Sequence, residues 1–270
     1  MLKRWIRRAV LLLILAGLSC AGLRAARAQK IPLIIEVIEP RAETAAAAVP
    51  EGNQPRVLIY HTHTWEAYEM TDSAQYIPTE KWRTKDEQHN MVRIGEALAQ
   101  ELMQRGFFVV HDKTAFEPPN LSASYTRSLT MLRQRLDAGE QYDYILDVHR
   151  DAYSGLYNGS NTVNHRGVQT AYVMLLVGKG TGATGAGFDE RPDWPQNLEL
   201  ADAITENLQQ IAPGIARDVK IKTGRFNQHV SPGALLIEVG NNMNTLDEAL
   251  AACPVIAQAL EDTHAARVSD

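Results

Sequence analysis

Apolar and polar positions alternate in two distinct rhythms along this chain. Short β-prone runs end abruptly in polar groups, and longer stretches repeat apolar residues every three or four positions. Val57 to Tyr60 runs into His61-Thr62-His63-Thr64. Tyr144 to Val148 ends in His149-Arg150-Asp151, and Ala234 to Val239 carries Glu238 into Gly240-Asn241-Asn242. Phe107–His111, Thr170–Gly178 and Val219–Ile221 read as further strands. Between them, helical spacing appears in Lys85–Arg105 through Met91, Ile94, Leu98 and Leu102, and in Leu121–Leu136 through Leu129, Leu132 and Leu136. Pro195–Ile211 is a third helix. Thr84/Glu87 and Thr245/Glu248 have the spacing of capping boxes, the second opening a last helix to about Ala265. Strands alternating with amphipathic helices predict an α/β fold with a mixed, mostly parallel sheet flanked by helices on both faces. In such a sheet the ligand crevice lies beyond the carboxyl ends of the strands, where His63, His149 and Glu238 fall.

The N-terminal region breaks this rhythm. Residues 1–29 carry Lys3, Arg4, Arg7 and Arg8, then an apolar run from Ala9 to Leu18, then Ala26-Arg27-Ala28. This is the pattern of a signal peptide, or of a membrane anchor if it is kept. Residues 30–54 hold a strand-like Ile31–Ile38 followed by an alanine- and proline-containing linker, so the catalytic domain is expected over 55–270. The protein is then secreted or membrane-anchored and works outside the cytoplasm. With 270 residues, 45% of them hydrophobic and 22% charged, the chain can bury one sizeable core. A net charge of -5 argues against nucleic acid as a partner. The two cysteines, Cys20 and Cys253, exclude both a disulfide framework and a cysteine-rich zinc site.

A metal would therefore be held by His, Asp and Glu. Two histidines from separate strands and one carboxylate suit zinc, with a fourth position left for water. A further carboxylate nearby serves as general acid and base. Glu238 is the candidate for that role, because an acid within Leu235-Leu236-Ile237-Glu238-Val239 is largely buried, and burial of a charge is costly without a purpose. His61 and His63, at positions i and i+2, would share one side if the strand continued through them.

Four segments taken in order resemble the stage II sporulation protein P family: Val57–Glu66 (VLIYHTHTWE), Ile145–Ala152 (ILDVHRDA), Arg225–Gln228 (RFNQ) and Leu236–Ala249 (LIEVGNNMNTLDEA). That family is similar to the zinc-dependent N-acetylmuramoyl-L-alanine amidases. The resemblance implies an amidase-like fold, Zn2+ as cofactor, peptidoglycan as substrate, and cleavage between the lactyl group of the glycan and the stem peptide. It also implies endopeptidase action on cross-links, and work beside membrane-anchored partner proteins during endospore engulfment. Carried over by position, it implies zinc ligands His63, Glu87 and His149, with Asp86, His89, Glu80 and His61 as alternatives to Glu87, and Glu238 as the catalytic acid–base. Thr64-Trp65 stand where those amidases have glycines, and Asp151 stands in place of an Asn. Arg150, Asn227 and Gln228 are expected to bind substrate. The other readings are a zinc carboxypeptidase or polysaccharide deacetylase, and a catalytically silent wall-binding scaffold.

Overall fold

The computed structural model describes residues 54–152, 161–180 and 193–269. The segments 1–29 and most of 30–54, assigned above to a signal or anchor and a linker, lie outside the described residues. Among the described residues no helix is long and apolar enough to cross a membrane.

Six strands form one sheet in the order β2-β1-β3-β8-β6-β7. They are β1 (Arg56–Tyr60), β2 (Phe108–His111), β3 (Tyr144–Asp151), β6 (Val173–Gly178), β7 (Lys220–Lys222) and β8 (Ala234–Asn241). Only β6–β8 pairs antiparallel; the other neighbours are parallel. A separate hairpin joins β4 (Thr162–His165) to β5 (Val168–Ala171), within the stretch expected to be loop and the start of a strand. The helices are α1 (Met91–Gln104), α2 (Ser124–Asp137), α3 (Trp194–Ile211), α4 (Leu246–Leu250) and α5 (Cys253–Ser269). The expected mixed α/β architecture is the one observed.

The central strands read as continuous apolar runs because both faces of the sheet are covered. On one face Val57, Ile59, Leu146, Val148, Leu235, Ile237 and Val239 share a core with Ile94, Leu98 and Leu102 of α1, Leu200 and Ile204 of α3 and Ile256 and Leu260 of α5. On the other, Leu58, Tyr60, Ile145 and Ala234 pack with Leu132 of α2 and with Phe116. The alternation explains which polar residues meet. Asp147 and His149 follow Ile145 onto the α2 face, and Glu238 is the register partner of His149 on β8.

Two expectations about local structure change. The apolar stripe of α1 is buried as expected, but the helix starts at Met91, not Lys85. Thr84 and Glu87 form no capping box. Instead the Thr84 hydroxyl accepts from the Asp86 amide and the Asp86 carboxylate from the Gln88 amide, so these side chains hold the backbone in turns. Asn90 is the true N-cap, accepting from the Val92 amide. The second capping box, Thr245 with Glu248, is formed, but it opens the short α4 before α5 begins at Cys253.

Candidate active site

β1 stops at Tyr60, so the two-residue period that would place His61 and His63 together no longer applies. Residues 62–65 turn, and the two imidazoles part. His63 comes to His149, with ring centroids 5.3 Å apart and planes nearly perpendicular, and to Tyr125 on α2 at 5.6 Å. The turn also carries Glu66 inward, buried to 8% exposure. Its carboxylate lies 3.4 Å from His149 Nδ1 and accepts from the Arg150 amide at 3.4 Å. Asp147, two residues before His149 on the same face, places Oδ1 2.8 Å from His149 Nε2.

Asp147 is in turn fixed by Thr62, whose amide donates to it at 2.8 Å and whose hydroxyl donates at 2.7 Å. Hydrogen bonds to a buried carboxylate are worth about 1.5–3 kcal/mol each. Thr62 Oγ1 contacts Ser128 Oγ at 2.9 Å, and Asn227 Nδ2 donates to Ser128 Oγ at 3.0 Å. A polar chain thus runs from α2 and the 227 turn to His149.

Charge follows from these contacts. Burial would raise the Glu66 pKa, but His149 and Arg150 outweigh it and hold the group near 2. His149 is pushed well above its ordinary value, because Asp147 and Glu66 more than offset its burial. His63 falls to about 4 through burial and the nearby His149. Glu238 rises to about 8, since burial outweighs the help of His149, while Glu66 and Asp151 add repulsion. One Glu238 oxygen is buried without a hydrogen-bond partner. The residue borders a cavity of about 20 Å³ with Asp151, Tyr172, Met174 and Arg217, which is room for one water. Just beyond, β8 gains a residue against β3: His149 pairs with Glu238 but Asp151 with Asn241. Gly240 takes φ 64 at this bulge, and a Cβ there would meet Asn244 Oδ1 at 2.7 Å. Bulges of this kind re-aim side chains beside active sites.

The other site residues expected from sequence fare differently. Glu87 stands exposed in the turn ahead of α1, and Glu80 is exposed. Asp86 and His89 pair with each other at 2.8 Å. The carboxylate that reaches the histidines is Glu66, three residues after His63. His61 is fully buried and donates Nδ1–H to the Val148 carbonyl at 2.8 Å, so its Nε2 accepts from His111 at 2.9 Å. Arg150 is also buried; its guanidinium donates to the carbonyls of Ala67, Trp82 and Asp151 and pairs with Glu66 at 3.8 Å. It braces the 66–83 segment. Asn227 and Gln228 do not line an open cleft. Asn227 is spent on Tyr125 O and Ser128, and Gln228 clasps the Gly178 amide and the Leu176 carbonyl.

Among the described residues no three His, Cys, Asp or Glu side chains already converge as a metal-holding group. The donors nevertheless suit zinc. His63 Nδ1 is buried without a hydrogen-bond partner, and His149 turns Nδ1 to the Glu66 carboxylate at 3.4 Å while its Nε2 lies 2.8 Å from Asp147. With Glu66, these are two imidazole nitrogens and a carboxylate, a donor set that would suit zinc, and Asp147, on the far nitrogen of His149, stands where an acid would orient a ligand histidine.

The family model described as Stage II sporulation protein P (SpoIIP) matches residues 32–261. The Stage II sporulation protein P of Bacillus subtilis (strain 168) is 25% identical over 228 residues, covering 79% of this chain and 53% of that protein. The chain therefore spans about half the length of this relative. Among solved structures, N-acetylmuramoyl-L-alanine amidase AmiC2 of Nostoc punctiforme aligns at 15% identity over 82% of this chain and 100% of its own, with a TM-score of 0.45. The N-acetylmuramoyl-L-alanine amidase from Clostridium difficile 630 aligns at 15% identity over 81% and 98%, with a TM-score of 0.44.

Proposed function

This chain belongs to the stage II sporulation protein P family, and from that premise we propose that it is a zinc-dependent N-acetylmuramoyl-L-alanine amidase. Its substrate is peptidoglycan, cut between the lactyl group and the stem peptide, with a second endopeptidase action on cross-links, during endospore engulfment. It works outside the cytoplasm, secreted or held by residues 1–29, beside membrane-anchored sporulation partners. The observation that carries the reading is that His149, at the end of β3, has His63 on one side and the Glu66 carboxylate on another, with Glu238 in register beside it.

His63, His149 and Glu66 would hold the zinc, Glu66 taking the place expected for Glu87. Bound there, zinc would polarise the attacking water and the scissile carbonyl. The residues of the chain supply the remainder. Asp147, locked by Thr62, keeps the His149 ring in place. Arg150 compensates the charge of Glu66 and fastens the segment that carries it. Glu238 takes a proton from the attacking water and returns it to the departing amine. A carboxyl whose pKa is raised toward neutrality is matched to both steps.

Glu238→Gln is the direct test. Stem-peptide release from purified sacculi, followed by muropeptide mass spectrometry, is expected to fall at least ~100-fold, with zinc content unchanged. Wild-type digests in which every lactyl–peptide amide stays intact would overturn the amidase assignment. Peptides trimmed only at their carboxyl ends would point to a carboxypeptidase.

A further inference from the structure

The stretch from Trp65 to Asn90 forms no helix and no strand longer than a single bridge, yet it is firmly held. Ala67 donates to the Trp82 carbonyl at 2.9 Å, and the Arg150 guanidinium binds the carbonyls of both Ala67 and Trp82. Tyr68 donates its hydroxyl to Val239 O on β8, and Tyr76 donates to Tyr68 O, each at 2.7 Å. Fixing irregular backbone costs conformational entropy at every residue, and long ordered loops of this kind are usually functional. Trp82 sits at φ 57, a backbone region that a bulky side chain enters only when its surroundings impose it.

What the stretch encloses is a groove of about 380 Å³ lined by Glu69, Met70, Tyr76, Thr79, Glu80 and Trp82, within the range of small-ligand sites. The Trp82 indole is fixed in place: Nε1–H donates to Glu69 at 2.6 Å, and Lys81 Nζ lies 3.9 Å from the ring centroid. Tyr76 has committed its hydroxyl, so its ring is what it offers to a ligand. Two aromatic rings and an apolar rim, with Met70 38% exposed, stand next to carboxylate oxygens that accept hydrogen bonds. A sugar ring has the matching character, with an apolar face of C–H groups and an edge of hydroxyl and amide donors. Glu69 and Glu80 outnumber Lys81, whose ammonium is already on the indole. A stem peptide bearing carboxylates meets repulsion in such a groove, whereas a neutral N-acetylated sugar does not. The groove joins the catalytic end through Arg150, which binds the Trp82 carbonyl and pairs with Glu66.

We infer that the Trp82–Tyr76–Glu69 groove is a subsite for the glycan strand, binding N-acetylated hexosamine units beside the hydrolytic centre. The inference rests on the peptidoglycan reading above, but its test needs no hydrolysis. The full chain is titrated with tetra-N-acetylchitotetraose, which has no stem peptide, and separately with a soluble stem tetrapeptide. The Trp82 indole N–H resonance is followed by NMR and the affinity by tryptophan fluorescence. The sugar is expected to shift the Trp82 resonance and the tetrapeptide to leave it unmoved. Trp82→Gly, which suits the positive φ, is expected to weaken the sugar at least tenfold while the circular dichroism spectrum is retained. Equal sugar affinity in Trp82→Gly would overturn the inference. So would a wild-type Trp82 resonance that moves only with the tetrapeptide, a result that needs no variant to fold. A wild-type chain that releases no stem peptide from sacculi would remove the amidase reading and leave this binding result standing by itself.

Discussion

His61 and His63 leave the same strand two residues apart and enter opposite kinds of surroundings. His61 faces His111 and the Val148 carbonyl, in a pocket closed by Gly95 of α1. Every polar atom of its ring is answered by a neutral partner, and burial keeps His61 and His111 uncharged, with pKa values near 3 and 4. His63 faces His149, which lies between two carboxylates, and its own Nδ1 has no hydrogen-bond partner. The first pair is complete within the protein. The second has a ring nitrogen left over and two carboxylates against one imidazole, groups that a cation could engage. Residue type does not distinguish the pairs; the partners do.

The sharpest way to break this comparison is to remove the carboxylate that makes the second pair different. Glu66→Gln is expected to lower stem-peptide release about 100-fold or more and to abolish stoichiometric zinc, measured by metal analysis after gel filtration, because a neutral amide would replace the charged ligand proposed above. Glu87→Gln, at the exposed position, should stay within about twofold of wild type by the same assays. The reverse pattern would return the third ligand to Glu87 and make Glu66 only an ion-pair partner of Arg150.

That contrast also marks how far the sequence could be read. The strand ends carrying His63, His149 and Glu238 were legible because apolar runs that end in polar groups obey simple periodicity. The partial burial of Glu238 follows from its apolar neighbours. The same reasoning applies to Asp147, an acid inside Tyr144-Ile145-Leu146-Asp147-Val148, and would have found it. Glu66 was harder to see. It lies in a turn, where no period says which side chains point inward, and only its position three residues after His63 hints at a shared site. Glu87 is placed by the resemblance through the apolar stripe of Ile94 and Leu98, and a stripe fixes the helix but not the turn ahead of it, where Asp86 and Asn90 take the backbone groups and Glu87 points outward. Arg150, Asn227 and Gln228 have the polar character of substrate contacts. Their hydrogen bonds go instead to loop, helix and strand backbone and to Ser128, an allocation that depends on residues up to about a hundred positions away.

A smaller effect is expected at the closed pair. A Cβ on Gly95 would lie 2.4 Å from His111 Nε2 and 2.5 Å from His61 Nε2, so Gly95→Ala must push the rings apart inside a packed core. Overpacking of this kind costs about 1–3 kcal/mol. Thermal melts should show a lower Tm, whereas zinc affinity, which the site proposed at the other pair would set, should be unchanged. Loss of zinc in Gly95→Ala would mean that the two pairs act as one unit.

The gentlest probe is acid. Burial first, then mutual repulsion at His61 and Lys113 at His111, lower the folded-state pKa of both imidazoles from 6.5 to about 3 and 4. Below pH 6.5 the unfolded chain binds protons that the folded pair refuses, so stability falls as pH drops from 6.5 toward about 4. The slope is at most about 1.4 kcal/mol per pH unit for each imidazole. His149 has the opposite sign. Its raised pKa makes a contribution that is fully present below 6.5 and is lost only at higher pH, so it does not add to this slope. Denaturant melts across this window should therefore show a shallower pH slope in His111→Leu than in wild type, whatever the variant's absolute stability. An unchanged slope would mean that His111 is already protonated in the folded protein, and the closed pair would then carry charge as the open one does.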